Sequence, residues 1–203
     1  KASKYAEIGL KLRKTPQKNN IMVEAADLFH DENFYDKLDS NPNYICFKNG
    51  VIDIEQERFR EGAGTDYISM CTGINYIKID KSNKEHVKII KEINDFMEKL
   101  FPDKSLRGYM WDHLASILIG HNDNQTFHFY LGGGSNGKSI LVELLEKCLG
   151  DYKGSAPLTM ITGNRTKEGQ ATPEIISLKG KRLAVLQEAK KKTVLNEGTF
   201  KEY

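Results

Sequence analysis

The sequence contains little cysteine and no long apolar run. Its three cysteines, Cys46, Cys71 and Cys148, are odd in number and form no C-x-x-C pair. This pattern argues against a disulfide framework or a zinc site and favours a reducing compartment. No apolar stretch approaches the roughly 20 residues of a membrane span. We therefore expect an intracellular protein that has no membrane partner.

A strong net charge is also missing. The 203 residues carry 30 Lys and Arg against 28 Asp and Glu, a formal net charge of +2, so the whole chain is not a polycation. The basic residues are unevenly distributed along the chain. Residues 1–18 and residues 179–192 each hold six Lys or Arg against one Glu. Hydrophobic residues make up 39% and charged residues 29%, which is typical of a soluble globular protein with one domain or two small ones.

Helical and strand-like patterns alternate in the first part of the chain. Residues 1–30 have apolar residues every three or four positions, which predicts helices interrupted near Pro16. Residues 44–55 predict two short strands around an Asn49-Gly50 turn, and residues 66–79 predict further strands.

Two amphipathic helices are predicted next. Ser82 and Glu85 fit a capping box at the start of the first helix, and Pro102 ends that helix. Gly120 fits the C-cap of the second helix, and the polar residues around Asn122 predict a domain boundary. Helical spacing predicts an inward face formed by Val87, Ile90, Ile93, Met97, Leu100, Leu106, Tyr109, Met110, Leu114, Ile117 and Leu118.

A strand, a glycine-rich loop and a helix are predicted after residue 125. Residues 126–131, TFHFYL, are almost continuously apolar or aromatic, as expected of a strand buried on both faces in a parallel sheet. A helix that ends at Gly150 follows the loop, and Leu183–Leu186 predicts another buried strand. The predicted buried stripe of the helix comprises Ile140, Leu141, Leu144, Leu145 and Cys148.

The glycine-rich loop, GGGSNGKS, fits two nucleotide-binding fingerprints. Its glycines match the dinucleotide pattern G-x-G-x-x-G, and residues 132–139 also match the P-loop pattern G-x-x-x-x-G-K-S. A dinucleotide site needs an acid about 20 residues on, at the end of a second strand. Asp151 comes too early and follows a helix, whereas Lys138 and Ser139 stand where a P-loop needs them. The sequence therefore predicts a P-loop that binds ATP and Mg²⁺, against the alternative of a glycine-rich turn with an accidental Lys-Ser.

Each part of this motif has a chemical role. Backbone amides from Gly134 to Lys138 would surround the phosphates, with the positive end of the helix dipole behind them. Lys138 would reach the β- and γ-phosphates, and the Ser139 hydroxyl would bind Mg²⁺. The predicted nucleotide-binding residues are Gly132, Gly133, Gly134, Ser135, Asn136, Gly137, Lys138, Ser139 and Ile140.

An acidic residue follows the last predicted strand. P-loop ATPases usually carry Asp then Glu there, one directed toward Mg²⁺ and one polarising the attacking water. This chain has Gln187 and Glu188. We predict that Lys138 and Glu188 are catalytic and that Ser139 and Glu188 hold Mg²⁺, with Glu188 acting through water. The alternative is an ordinary strand that ends in a surface Glu.

Four segments together resemble the superfamily 3 helicases of the poxvirus-type primase-helicase group. They are NGVIDIE, DYIS with INY, LIGHNDNQTFHFYLGGGSNGKS, and GKRLAVLQE. The resemblance runs from about Tyr44 to Tyr203 and is most specific at GxGxNGKS, where Asn136 precedes Gly-Lys-Ser. It implies a ring-forming, usually hexameric AAA+ ATPase of viruses, phages or plasmids that unwinds DNA in replication, often with a fused primase. It also implies DNA and other replication proteins as partners and, for a virus, host replication sites in the cytoplasm or nucleus.

The resemblance sets the expected fold class and domains. We expect an incomplete α/β P-loop, AAA+-like core at residues 122–203, preceded by a smaller α+β and helical, collar-like domain at residues 41–121. Residues 1–40 are expected to form a helical N-terminal segment. The family's next motifs, including the sensor Asn and the arginine finger, would follow residue 203, which predicts a helicase cut off in mid-domain. The 203 residues alone are therefore expected to hydrolyse ATP weakly or not at all.

Several alternatives remain open at this stage. The chain could be a P-loop phosphotransferase, or a nucleotide-dependent oligomerisation or DNA-binding module without hydrolysis. Lys190–Lys192 and the basic N-terminal residues could contact DNA phosphates or form solvated surface. Lys181 and Arg182 could sense phosphate or serve in packing.

Overall fold

The computed structural model describes residues 2–122, 125–134, 136–162, 173–186 and 194–200. The chain forms two compact units, Lys1–Lys37 and Leu38–Tyr203. The three-part domain organisation and the AAA+-like fold class expected from the sequence stay predictions. Among the described residues, no helix combines the length and the apolar character that crossing a bilayer requires.

The first unit is helical, as predicted. It contains α1 (Ala2–Leu12), α2 (Thr15–Leu28) and α3 (Phe34–Lys37). Lys14 is extended and Pro16 lies in the first turn of α2, where its missing N–H costs no intrahelical hydrogen bond. The proline therefore helps to start the second helix, and the helical break itself falls just before it.

The second unit begins with a three-stranded antiparallel sheet in the order β1-β2-β3. The strands are β1 (Tyr44–Phe47), β2 (Gly50–Asp53) and β3 (Arg58–Arg60), and a one-turn 3-10 helix follows at Gly64–Asp66. Phe47 pairs with Gly50, which confirms a hairpin here but places its two-residue turn at Lys48 and Asn49, one residue before the predicted Asn49-Gly50 turn. Gly50 is required because an added Cβ would overlap the backbone oxygen of Arg60.

The further strands predicted at residues 66–79 are absent, and the third strand instead lies at residues 58–60. Residues 67–79 run beside β1 with isolated backbone hydrogen bonds. Thr72 N–H donates to the Cys46 oxygen at 2.9 Å, and Lys48 N–H donates to the Ile74 oxygen at 2.9 Å. The apolar pattern of residues 67–79 therefore reflects their contact with the sheet. Their isolated hydrogen bonds do not form the continuous ladder that a strand requires.

Two long helices follow, α4 (Lys84–Leu100) and α5 (Lys104–Ser116), and both were predicted. The predicted caps were wrong. Asn83 caps α4 by accepting a hydrogen bond from Glu85 N–H, while the Ser82 side chain bonds to Asp80. An Asn one residue after the Ser offers an equally good cap, and the helix starts there. Gly120 lies beyond the end of α5, and its N–H donates to the Pro42 oxygen.

The rest of the described chain contains one longer helix and a small parallel sheet. α6 (Lys138–Leu149) ends at Gly150 as predicted, and a one-turn 3-10 helix follows at Gly150–Tyr152. β4 (Lys153–Ser155) pairs in parallel with β5 (Leu183–Val185), which confirms the predicted strand at Leu183, although the predicted burial was wrong because Ala184 is exposed and its neighbours are only half-buried. Three short helices complete the described elements: α7 (Thr159–Thr162), α8 (Pro173–Ile176) and α9 (Glu197–Phe200).

Two apolar clusters hold α6 in position. The first joins the antiparallel sheet to the carboxyl end of α6 and contains Ile45, Met70, Ile117, Leu149 and Tyr152. The second joins α4 and α5 to the amino end of α6 and contains Met97, Met110 and Leu141. Leu114 packs against both clusters. The helix that carries Lys138 is therefore fixed at both ends by residues 45–117.

Several predicted core positions were wrong. On α6 the residues that pack inward are Leu141, Leu145 and Leu149, whereas Cys148 is exposed and Ile140 is 59% exposed. The apolar residues of α6 are compatible with more than one inward-facing stripe. Packing against the neighbouring elements selects the stripe that is buried. Among the predicted inward residues of α4 and α5, Val87, Ile93, Leu106 and Tyr109 are exposed, and Leu118, just beyond the end of α5, is exposed as well.

The buried strand predicted at residues 126–131 does not form. Residues 126–131 are not part of a strand, and Phe129 and Leu131 are 62% and 86% exposed. A strand buried on both faces needs neighbours, and the parallel sheet of the described residues contains only β4 and β5. Tyr130 alone packs against the second apolar cluster.

Candidate nucleotide-binding loop

Residues 132–134, 136 and 137 lie in a loop that leads directly into α6. Gly137 precedes the helix with φ of 79°, and Gly134 has φ of 89°, conformations that side-chain-bearing residues rarely adopt. Gly137, the N-cap residue of α6, offers no side chain that could cap the first turn. The first backbone N–H groups of α6 therefore point toward the loop, where the helix dipole favours an anion.

The Lys138 ammonium lies across this loop. Its Nζ donates hydrogen bonds to the Gly132 oxygen at 3.1 Å and to the Asn136 Oδ1 at 2.7 Å. Both acceptors are neutral, so the ammonium keeps its full charge. The described residues thus bring together the first glycine, the asparagine and the lysine of the predicted motif.

The loop rests on the end of α4. A Cβ added to Gly137 would lie 2.5 Å from Leu100 Cδ1, so a side chain at this position would require Leu100 to move. One turn later, Leu141 is 1% exposed and packs with Met97 and Met110. Packing against α4 and α5 therefore fixes the position of the loop and of the start of α6.

The other predicted site residues are placed as follows. Ser139 and Ile140 lie in the exposed first turn of α6, so Ile140 could serve a ligand only through its backbone. Apart from its chain neighbours, no described residue lies within 4 Å of the position where a Cβ on Gly133 would stand. Ser135, Gln187, Glu188 and Lys190–Lys192 fall outside the described residues, and the catalytic and metal roles predicted for Glu188 stay predictions.

A pair of stacked histidines anchors the segment that enters the loop. His113 of α5 is 8% exposed, and its Nε2 lies 2.7 Å from the Tyr130 hydroxyl oxygen. The rings of His113 and His128 stack with their centroids 3.7 Å apart. The Tyr109 ring also stacks with the His113 ring. The sequence did not reveal this cluster, because histidines 15 residues apart carry no local signal of contact.

Acidic pH is expected to weaken this anchor. Burial, and then the nearby His128, lower the pKa of His113 below its ordinary value. Its Nδ1 is buried without a hydrogen-bond partner among the described residues, so the imidazolium would leave a donor unsatisfied. The folded state therefore binds this proton less readily than the unfolded state does. Stability is complete above the unfolded pKa of about 6.5 and is lost as pH falls below it.

Denaturant unfolding between pH 7.5 and 5 would measure this effect. We expect His113→Gln to flatten the fall in unfolding free energy over that range. His121→Gln, at an exposed position, serves as the matched control and should leave the fall unchanged. Equal pH slopes for the wild type and His113→Gln would contradict the assignment.

The far end of α6 is fixed by polar contacts to the antiparallel sheet. The Tyr152 hydroxyl accepts a hydrogen bond from Cys46 N–H at 2.9 Å, and Asp151 Oδ2 accepts one from Cys71 N–H at 3.0 Å. Burial raises the pKa of Tyr152 to about 12. Arg182 donates to the Tyr44 oxygen at 3.0 Å and lies over the Tyr152 ring. These described contacts favour the packing role of Arg182 over phosphate sensing.

Comparison with known proteins identifies the family. The family described as D5 N terminal like matches residues 1–105. The chain belongs to this D5 N-terminal-like family.

Named relatives come from large DNA viruses. The chain is 39% identical over 184 residues to "Putative helicase L207/L206" of Acanthamoeba polyphaga mimivirus, covering 91% of this chain and 19% of that protein. It is 33% identical over 181 residues to "Putative helicase 121R" of Invertebrate iridescent virus 3, covering 88% and 19%. It is 26% identical over 192 residues to "Putative primase C962R" of African swine fever virus (isolate Warthog/Namibia/Wart80/1980), covering 91% and 19%.

The chain spans about a fifth of the length of these relatives. The similarity to the mimivirus protein covers 91% of this chain and therefore extends well past residue 105, where the family match ends. The alignment leaves only 9% of this chain uncovered, which is fewer residues than either precede or follow the loop. The aligned region therefore includes GGGSNGKS.

Proposed function

We propose that this chain carries the ATP-binding loop of a superfamily 3 replicative DNA helicase, within a longer viral primase-helicase polypeptide. The observation that carries the proposal is the arrangement of Lys138. Its ammonium lies over a glycine loop at the start of α6, held by two neutral oxygens. The family membership and the names of the viral relatives support the same conclusion.

The residues of the loop suit a nucleoside triphosphate. Uncapped amides at the start of α6 and the Lys138 ammonium would bind and orient the phosphates. The exposed Ser139 hydroxyl is a hard oxygen ligand of the kind that Mg²⁺ prefers, so this residue fits the metal. Mg²⁺ would neutralise developing charge on the phosphates, and Glu188 would polarise the attacking water.

The proposal extends to the architecture and the assembly. The parallel pair β4 and β5 beside α6 supports an AAA+-like α/β core, of which the 203 residues hold the first part. Superfamily 3 membership implies a hexamer that encloses DNA, with an arginine finger supplied by the neighbouring subunit. DNA, a fused primase and other replication proteins, at replication sites in the host cell, are the corresponding partners.

The deciding experiment measures phosphate release from ATP by the full-length protein, with and without single-stranded DNA. We expect DNA to stimulate turnover, and turnover per subunit to rise with protein concentration as subunits assemble. The assembly step should matter strongly, since an arginine finger is worth about 10³ or more in rate.

Other outcomes would identify the alternatives. ATP binding and assembly without hydrolysis would point to a nucleotide-dependent oligomerisation module. DNA-independent phosphate transfer to a small acceptor would point to a phosphotransferase. Either result would overturn the helicase proposal while leaving the nucleotide site intact, and the mass of the complex with and without ATP would separate assembly from catalysis.

A further inference from the structure

Asn136 makes two contacts inside the loop that the sequence motif does not explain. Its Oδ1 accepts a hydrogen bond from Lys138 Nζ at 2.7 Å. Its Nδ2 packs against Gly132 so closely that a Cβ on that glycine would overlap it. The asparagine side chain therefore spans the loop from its first glycine to its lysine.

These contacts restrict the Lys138 ammonium. A lysine side chain loses considerable rotamer entropy when it is fixed, and two neutral acceptors hold it here. An ammonium has three N–H donors. Gly132 and Asn136 take two of them, which leaves one donor for a ligand.

The neutral charge of the asparagine amide matters as much as its geometry. A carboxylate at this position would also bind the ammonium, but it would cancel the positive charge and repel phosphate oxygens. The amide holds the lysine while leaving its charge available. The charge of Lys138 can then act fully on an anion that enters the loop.

We propose that Asn136 is a positioning residue for the nucleotide phosphates, which holds the Lys138 ammonium over the loop without neutralising it. This inference rests on the proposed nucleotide function of the loop. It also explains Gly132, because a side chain there would displace the Asn136 amide from the lysine.

Two substitutions with different charge test the proposal in the full-length protein. Asn136→Ala removes the acceptor, and we expect it to weaken binding of a fluorescent ATP analogue by about 5- to 10-fold. Asn136→Asp keeps a hydrogen-bond acceptor for Lys138 but adds negative charge, and we expect a larger loss, of about 30-fold or more. The loss should grow with the number of phosphates and be small for adenosine.

The order of the two variants separates this role from a purely structural one. If Asn136 only stabilised the fold of the loop, Asn136→Asp would retain the contact to Lys138 and bind more tightly than Asn136→Ala. Asn83→Asp is the matched control, because Asp caps a helix as well as Asn does. It lies at the opposite end of the 17-residue α4 from Leu100, which contacts the loop, and it should bind like the wild type.

The results also separate this inference from the proposed function. No binding of the analogue by the wild type, or equal binding by Lys138→Ala, would overturn the nucleotide site itself. Binding that depends on Lys138 but is unchanged in both Asn136 variants would overturn only the positioning role. A greater loss for Asn136→Ala than for Asn136→Asp would also overturn it.

Discussion

Lys138→Ala is expected to lower ATP turnover by the full-length protein by about a hundredfold or more. The substitution removes the ammonium that lies over the loop, bonded to Gly132 and Asn136. A fixed donor aimed at charge that develops in a transition state is typically worth about 10²- to 10³-fold in rate. Because the positive charge also attracts the ground-state triphosphate, affinity should fall together with turnover.

A second lysine on the same helix provides the control. Lys147 is exposed and pairs with Glu143 at 2.8 Å on the surface of α6. Lys147→Ala changes the net charge by the same amount but leaves the loop untouched, and we expect normal turnover. Hydrolysis that persists in Lys138→Ala would show that the nucleotide is processed at another site.

Gly150→Ala is expected to destabilise the second unit by about 3 kcal/mol. Gly150 ends α6 with φ of 54° and ψ of −120°, a combination that side-chain-bearing residues strongly disfavour. Such backbone strain costs on the order of 1–3 kcal/mol. An added Cβ would also overlap the backbone oxygen of Thr72, which cannot move easily because Thr72 N–H is bonded to Cys46.

A glycine-to-alanine substitution within α5 is expected to raise the stability of the protein instead of lowering it. Gly108 lies within α5, and nothing stands within 4 Å of its added Cβ. Gly108→Ala should therefore stabilise the protein by up to about 1 kcal/mol through helix propensity. Denaturant titration of both variants and the wild type gives the comparison. If Gly150→Ala lost no more stability than about 0.5 kcal/mol, the proposed close contact between α6 and the segment at Thr72 would be wrong.

Local sequence signals predicted the elements around the site well. The helix after the glycine loop, the hairpin of β1 and β2 and the strand at Leu183 all depend on residues that are neighbours in sequence. Turn chemistry and apolar period act over a few residues, so a single sequence contains them. The P-loop pattern is equally local, which is why the Lys138 site could be proposed before the structure was considered.

Predictions that depended on distant neighbours failed. Residues 126–131 and the helix residue Cys148 both have the composition of a core, yet Cys148 and all of residues 126–131 except Tyr130 are exposed. An apolar side chain shows that burial is favourable, but burial occurs only where another element lies against it. The strand pattern at residues 66–79 failed for a related reason, since isolated bonds to β1 replaced a ladder.

The sequence by itself therefore determined the main helices and the hairpin and predicted the nucleotide-binding motif, because each depends on short-range spacing. Only the tertiary structure decided how the site is held. It showed that Asn136 fixes Lys138 against Gly132, that Leu100 lies under Gly137, and that Gly150 must remain a glycine. These contacts join residues whose positions follow from the packing of α4, α5 and the sheet around α6. Packing is a property of the whole fold, and no local pattern specifies it.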